Sequence, residues 1–222
     1  MSSQEGPVMP RFTVKRFCRF ALAAAVTGLA ACGAASEQAT PSPAISQEAA
    51  ALRTVVPLTR PVALDKAGTV ADVEFDLPPP GPGASSLLKV AIRLQANEGA
   101  ALRAPSDRLV DEGLAARVNL RNLANGESTQ IPLYRIGPAP GTDVPIGADG
   151  RVAGVTWSGV DESMLRRVGL IQQGMFYKVL LLAEAHRPAP GHYRLTLELL
   201  EDHPRLKGQS VELLLAYASK AK

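Results

Sequence analysis

Cysteine is nearly absent from this chain of 222 residues: Cys18 and Cys32 are its two, and none follows. That excludes a disulfide framework or a cysteine-built zinc site from everything after residue 32, so a domain there must be stable through its own hydrophobic core. Histidine is scarce as well. His186, His192 and His203 are the only three, and no pair has the tight spacing of His-x-x-x-His that sets two ligands on one element. His186 and His192 flank the turn "RPAPG" and His203 precedes Pro204, so all three read as solvated turn residues and no metal ligand is assigned. The nucleophile elbow Gly-x-Ser-x-Gly does not occur. Aromatic residues make up 5% of the chain, which leaves little to line a sugar or aromatic-ligand pocket and favours a protein partner. No internal repeat of about 20–50 residues is visible, which argues against a propeller or a solenoid.

Long apolar runs are missing too, with one partial exception. Residues 21–29 are apolar but too short to span a bilayer as a helix. Arg11, Lys15, Arg16 and Arg19 precede them, and the small Ala30 and Ala31 follow. A basic head, an apolar centre and a small-residue exit form the layout of a secretory signal over residues 1–31, with Met1 and Met9 both open as its start. The quartet Leu29-Ala30-Ala31-Cys32 then resembles a bacterial lipobox, in which the signal is cut before a cysteine that becomes lipidated. The resemblance implies a diacylglyceryl thioether on Cys32 and, in Gram-negative bacteria, a further acyl chain on the new amino terminus. Two or three such chains hold far more firmly than one, at about 0.8 kcal/mol per buried methylene. Gly33 stands where an aspartate would signal inner-membrane retention, so the expected location is the outer membrane, lipid-anchored and facing the periplasm.

A strong charge of either sign is also absent. The whole chain has 24 basic and 21 acidic residues, and removal of residues 1–31 leaves 20 of each, so nothing points to a nucleic-acid partner. Residues 33–54 are mostly Ala, Ser, Gln and Pro with few bulky side chains, and with Cys32 they read as a disordered tether. The Ala-rich part, residues 47–52, is the one place in it with helical character. Residues 55–222 are long enough for one domain.

What this domain has in abundance is period-two patterning. Ala71, Val73, Phe75 and Leu77 alternate with Asp72, Glu74 and Asp76. Leu88, Val90, Ile92 and Leu94 alternate with Lys89, Ala91, Arg93 and Gln95, while Tyr193, Leu195, Leu197 and Leu199 alternate with Arg194, Thr196 and Glu198. Such alternation predicts antiparallel strands with one wet face. Further strands are expected at residues 116–123, 129–136, 152–157, 176–185 and 209–217, the last pairing with the strand before it across about ten residues. Asn125-Gly126 and Asp149-Gly150 are hairpin signals. Ser106 with Gly113, and Asp161 with Gly174, bracket two short helices. The expectation is a mainly β, two-sheet antiparallel sandwich.

No chemistry emerges from single residues. Ser158 lies near Asp161, but a strand-end serine and a helix cap account for both. The acidic row Asp72, Glu74, Asp76 reads as a solvated strand face that discourages mispairing, rather than a calcium or partner-binding edge. Catalytic residues, cofactors and metals are therefore all expected to be none, and the protein is not expected to be an enzyme.

A second resemblance covers most of residues 55–222. "RPVALDKAGTVADVEFDLP", "PSDRLVDEG" and "RPAPGHYRLTLELLEDHPRLKGQSVELLLAY", in that order, resemble a family of uncharacterised proteobacterial lipoproteins known only as a domain of unknown function. The matching positions are Asp65, Gly68, Phe75, Pro190, Gly191, Tyr193, Leu206 and Gly208. The Gly/Pro-rich insertions at residues 78–86 and 137–150 depart from it. The resemblance implies a small β-sandwich with no known activity, in a group considered for immunity to secreted toxins. The resulting expectation is an envelope lipoprotein displaying a β-sandwich for protein–protein interaction, in toxin immunity or envelope assembly. The alternative is a periplasmic lipoprotein that binds a small ligand or lipid.

Overall fold

The structure is a computed structural model and describes residues 43–220, Pro140 excepted. The signal over residues 1–31, Cys32 and the first part of the tether lie outside the described residues. Among those described, no helix is long and apolar enough to cross a membrane.

The chain opens with α1 (Gln47–Ala51), β1 (Leu58–Pro61), β2 (Gly68–Leu77) and β3 (Ala84–Ala96). It continues through α2 (Arg103–Asp111), β4 (Ala116–Ala124), β5 (Glu127–Gln130), β6 (Tyr134–Ile136) and β7 (Asp143–Pro145). Then come β8 (Arg151–Val152), β9 (Thr156–Trp157), α3 (Glu162–Arg167), β10 (Phe176–His186), β11 (Gly191–Leu199) and β12 (Val211–Ser219). The fold is mainly β, with two antiparallel sheets and few short helices, as the alternation predicts. The larger sheet runs β1-β12-β3-β10-β6-β7 with β9 also beside β10, and the smaller runs β2-β11-β4-β5 with β8 also beside β4.

Their apolar rows meet in one core. Phe75 and Tyr193 stack with ring centroids 5.8 Å apart, and Leu195, Leu197, Ile92, Leu213 and Tyr217 are buried with them. The Tyr193 hydroxyl donates to Ala189 O at 2.5 Å, closing the turn that the Pro190-Gly191-x-Tyr193 phrase announces. Asp72, Glu74 and Asp76 face solvent as expected.

Several expectations are corrected. The strands β11 and β12 do not pair with each other: β11 lies between β2 and β4, β12 between β1 and β3. Two apolar rows can share a core as neighbours in one sheet or as opposite walls, and the ten-residue link is long enough to cross the roughly 10 Å between sheets. The expected strand at 129–136 is broken at Pro132, where the chain leaves β5 of the smaller sheet and enters β6 of the larger. A similar break at 153–155 divides β8 from β9. Asp149-Gly150 makes a turn, but β7 and β8 lie in different sheets, so it is a crossing and not a hairpin. Asn125-Gly126 is a hairpin: both residues have positive φ, 54° and 80°, and β4 pairs with β5 across them.

The helices move as well. Ser106 does not cap α2; it is buried within the helix and donates to Leu102 O at 2.6 Å. Asp161 does cap α3, accepting from Ser163 N at 3.0 Å, but the helix stops at Gly169 and not at Gly174. The N–H groups of Leu170 and Gly169 close back onto Leu165 O and Arg166 O, the left-handed exit that glycine permits.

The largest correction concerns the wet face. Every residue of β12 from Val211 to Ala218 is buried, so the middle of the larger sheet is covered on both sides. Ala50, Val160, Leu165 and Leu170 pack on its outer face against Ala91, Leu214 and Ala216, with Ile45 alongside. The domain therefore begins before residue 55. Ser46 caps α1, Ile45 N donates to Gly169 O at 3.0 Å, and the Arg60 guanidinium donates to Arg53 O at 2.6 Å. Gly169 is also where a Cβ would meet Pro43 O at 2.6 Å, so the segment before α1 needs the bare backbone there. A chain beginning at residue 54 is consequently expected to lose about 1–3 kcal/mol relative to one beginning at residue 43, because Leu165 and Leu214 become exposed. Thermal unfolding of the two chains checks this, and equal midpoints would show that the segment contributes nothing.

Candidate functional site

The outer face of the larger sheet carries an unusual concentration of buried charge. Alternation in β3 turns Lys89, Ala91 and Arg93 away from the main core, as the sequence indicates, but Lys89 and Arg93 are buried by the second layer. Arg93 is fully engaged. Its Nε and a terminal nitrogen reach Glu212 Oε2 at 2.8 and 2.6 Å, its other nitrogen donates to Leu170 O at 2.9 Å, and its guanidinium lies 4.5 Å from the Tyr177 ring centroid. This is a closed structural pair. Beside it, Trp157, Ser158, Val160, Leu165, Ile171 and Tyr177 border an open groove of about 440 Å³.

Lys89 Nζ donates to Ser158 Oγ at 2.6 Å. Burial pushes the Lys89 amine below its ordinary pKa, and the Glu184 carboxylate opposes that shift. Ser158 is thus partnered by Lys89 and not by Asp161, which is occupied as the cap of α3. The Ser158 N–H donates to Val179 O at 3.1 Å and cannot hold an oxyanion.

Glu184 reaches this face through a bulge. Leu181 pairs with Ala91, then the register of β10 shifts so that Ala183 pairs with Val90 and Glu184 with Lys89. The extra residue turns Ala183 and Ala185 into the core and Glu184 and His186 out of it, the re-aiming of side chains that bulges provide. His186 stacks on Tyr134 of β6 with centroids 4.2 Å apart and planes at 17°. Asp143 at the start of β7 completes a cluster: His186 Nε2 is 3.3 Å from Asp143 Oδ2 and 3.4 Å from Glu184 Oε1.

The other histidines stand apart. His192 Nδ1 is 2.9 Å from Asp76 and its Nε2 is 3.5 Å from Glu74; these carboxylates hold its pKa above the ordinary value, led by the Asp76 hydrogen bond. Arg194 binds Asp72 at 2.7 and 2.5 Å, so cations of the neighbouring strand neutralise the acidic row. His203 lies in the turn before Pro204, but it is half-buried with its Nε2 enclosed and without a hydrogen-bond partner among the described residues, so it is not the solvated histidine the sequence predicts. Lys89, Asp143 and Glu184 were not singled out by sequence reasoning. A usable signal was the lone carboxylate in "VLLLAEA", an apolar run with no alternation.

No family model and no curated protein matches the chain. A crystal structure of a protein from Sulfurospirillum deleyianum is similar at 13% identity and a TM-score of 0.40, over 74% of this chain and 98% of that one.

Proposed function

We propose that the protein is an envelope lipoprotein, anchored through Cys32 to the outer membrane on its periplasmic side, whose sandwich binds a partner protein. The reading is non-enzymatic, and it rests on the distribution of exposed apolar side chains. Six large hydrophobic residues are exposed among those described, and four of them, Ile136, Val144, Trp157 and Phe176, lie on β6, β7, β9 and the start of β10. β6 and β7 end the larger sheet, β9 lies beside β10, and Val144 falls within the insertion at 137–150 that departs from the family pattern. Apolar groups gathered at one edge mark an interaction surface more often than scattered ones do. Lys178, 5.1 Å from the Trp157 ring centroid, and the exposed Arg135 add positive charge to these strands and suit a partner with apolar and acidic groups. Toxin immunity and envelope assembly are the two settings that fit such a tethered binder.

Two measurements test this. Cys32→Ser is expected to abolish incorporation of a fatty-acid probe and to release the protein from membranes; equal labelling of variant and parent overturns the anchor. A photocrosslinker at Val144 or Trp157, introduced in cells, is expected to trap one discrete partner that a crosslinker at Glu127, in the smaller sheet, does not. The same products from both positions, or none from Val144 and Trp157, overturn the docking edge.

A further inference from the structure

We propose that Asp143, Glu184 and His186 form a binding site for a divalent transition metal of the zinc class. Their ligand atoms lie within 4.8 Å of one another, drawn from β7 and from the bulged end of β10. The two separations from His186 match those of coordination. Zinc binds imidazole nitrogen and carboxylate oxygen at about 2.0–2.2 Å, and two ligands on one edge of a tetrahedron are then about 3.3–3.5 Å apart. His186 Nε2 stands 3.3 Å from one carboxylate and 3.4 Å from the other.

An ion pair alone accounts poorly for that geometry. A charge-assisted hydrogen bond from imidazolium to carboxylate closes to about 2.7–2.9 Å, and one N–H shared between two acceptors makes only a weaker three-centre bond to each. His192 shows what this chain does when a histidine simply pairs with a carboxylate: it closes to 2.9 Å on Asp76. At His186 a single nitrogen is instead nearly equidistant from two oxygens, as around a shared third body.

Glu184 supplies an independent reason. Its residue is 4% exposed, and the ion-pair partner nearest its carboxylate is His186 Nε2 at 3.4 Å. The ammonium of the cross-strand Lys89 donates to Ser158 while attracting the Glu184 carboxylate electrostatically, and His186 is the one ion-pair partner within 4 Å among the described residues. A carboxylate this deeply buried is better compensated by direct coordination to a cation than by longer electrostatic contacts. A divalent cation supplies it. Two carboxylates and a neutral imidazole balance the ion's charge, and the mixed nitrogen and oxygen set, without cysteine, suits zinc better than copper(I); calcium would want six to eight oxygens. Stacking on Tyr134 fixes the imidazole plane. Asp143 and His186 are about one-third exposed, which leaves an entry path and a fourth position for water. The bound ion ties the β6–β7 edge to the central strand β10.

The test uses the full chain, stripped of metal and titrated with zinc against a chromophoric chelator. One equivalent is expected to bind, with Asp143→Asn, Glu184→Gln and His186→Gln each weakening affinity by more than about tenfold and His192→Gln leaving it unchanged. Cobalt added to the parent is expected to give the intense visible absorption of a tetrahedral site. Glu184→Gln bears on a buried position, so the exposed His186→Gln and Asp143→Asn carry the test if that variant does not fold. A zinc-dependent rise in the unfolding midpoint, present in the parent and lost in both exposed variants, is the second readout. Absence of stoichiometric zinc binding, binding unaffected by both exposed substitutions, or preference for calcium over zinc overturns the proposal.

Discussion

Arg93→Ala should destabilise the domain by about 3–5 kcal/mol, the cost of leaving a buried charge without its counter-ion. The Arg93 and Glu212 side chains are 3% and 5% exposed, far from the surface pairs that contribute roughly 0–1 kcal/mol. Removing the guanidinium leaves Glu212 with a carboxylate under the second layer, frees Leu170 O from its donor and takes the cation from the Tyr177 ring. A double variant, Arg93→Met with Glu212→Leu, should recover much of that loss, since apolar residues of similar volume need no counter-ion. Chemical denaturation of the parent, single and double variants measures both effects. A single-variant loss below about 1 kcal/mol would mean that water reaches the pair and that the layer over it is open.

That layer is also where the sequence and the structure part company. The alternation in β2 and β11 is legible residue by residue, because one face of the smaller sheet meets the core and the other meets water. Arg194, Thr196 and Glu198 stand opposite Leu195 and Leu197 as written. In β12 the same reasoning finds Val211, Leu213, Leu215 and Tyr217 but passes over the equally buried Leu214 and Ala216. The string "VELLLAYA" is a near-continuous apolar run, the signature of a strand covered on both faces, and period two captures half of it. What covers that face comes from far away in the chain: Ile45 and Ala50 from the presumed tether, Val160 and Leu165 from around α3. Each is an ordinary small or apolar residue in its own neighbourhood, so only the three-dimensional arrangement assigns it to a core. The candidate metal cluster escaped for a related reason. Asp143 and His186 are 43 positions apart, and only the bulge at Leu182 sets Glu184 on the face they share. Sequence spacing reveals ligands on one element; it is silent when a sheet edge assembles them.

The two sheets should therefore respond differently to the same change. Leu197 on β11 is completely buried, between Ala71 of β2 and Val118 of β4, and Leu197→Ala should cost about 2–5 kcal/mol for the emptied site. Thr196, its neighbour on the wet face, lies between Asp72 and Asn119, and Thr196→Ala should cost about 0.5 kcal/mol or less. In the larger sheet that contrast disappears. Leu213 and Leu214 are adjacent and face opposite ways, yet both are fully buried, one on the main core and one under α1 and α3. Leu213→Ala and Leu214→Ala should each fall in the range of about 2–5 kcal/mol. Chemical denaturation of all four variants decides the architecture: a large and a small loss in β11, two large losses in β12. If Leu214→Ala costs as little as Thr196→Ala, the outer face of the larger sheet is wet, and the burial of Lys89, Arg93 and Glu184 falls with it.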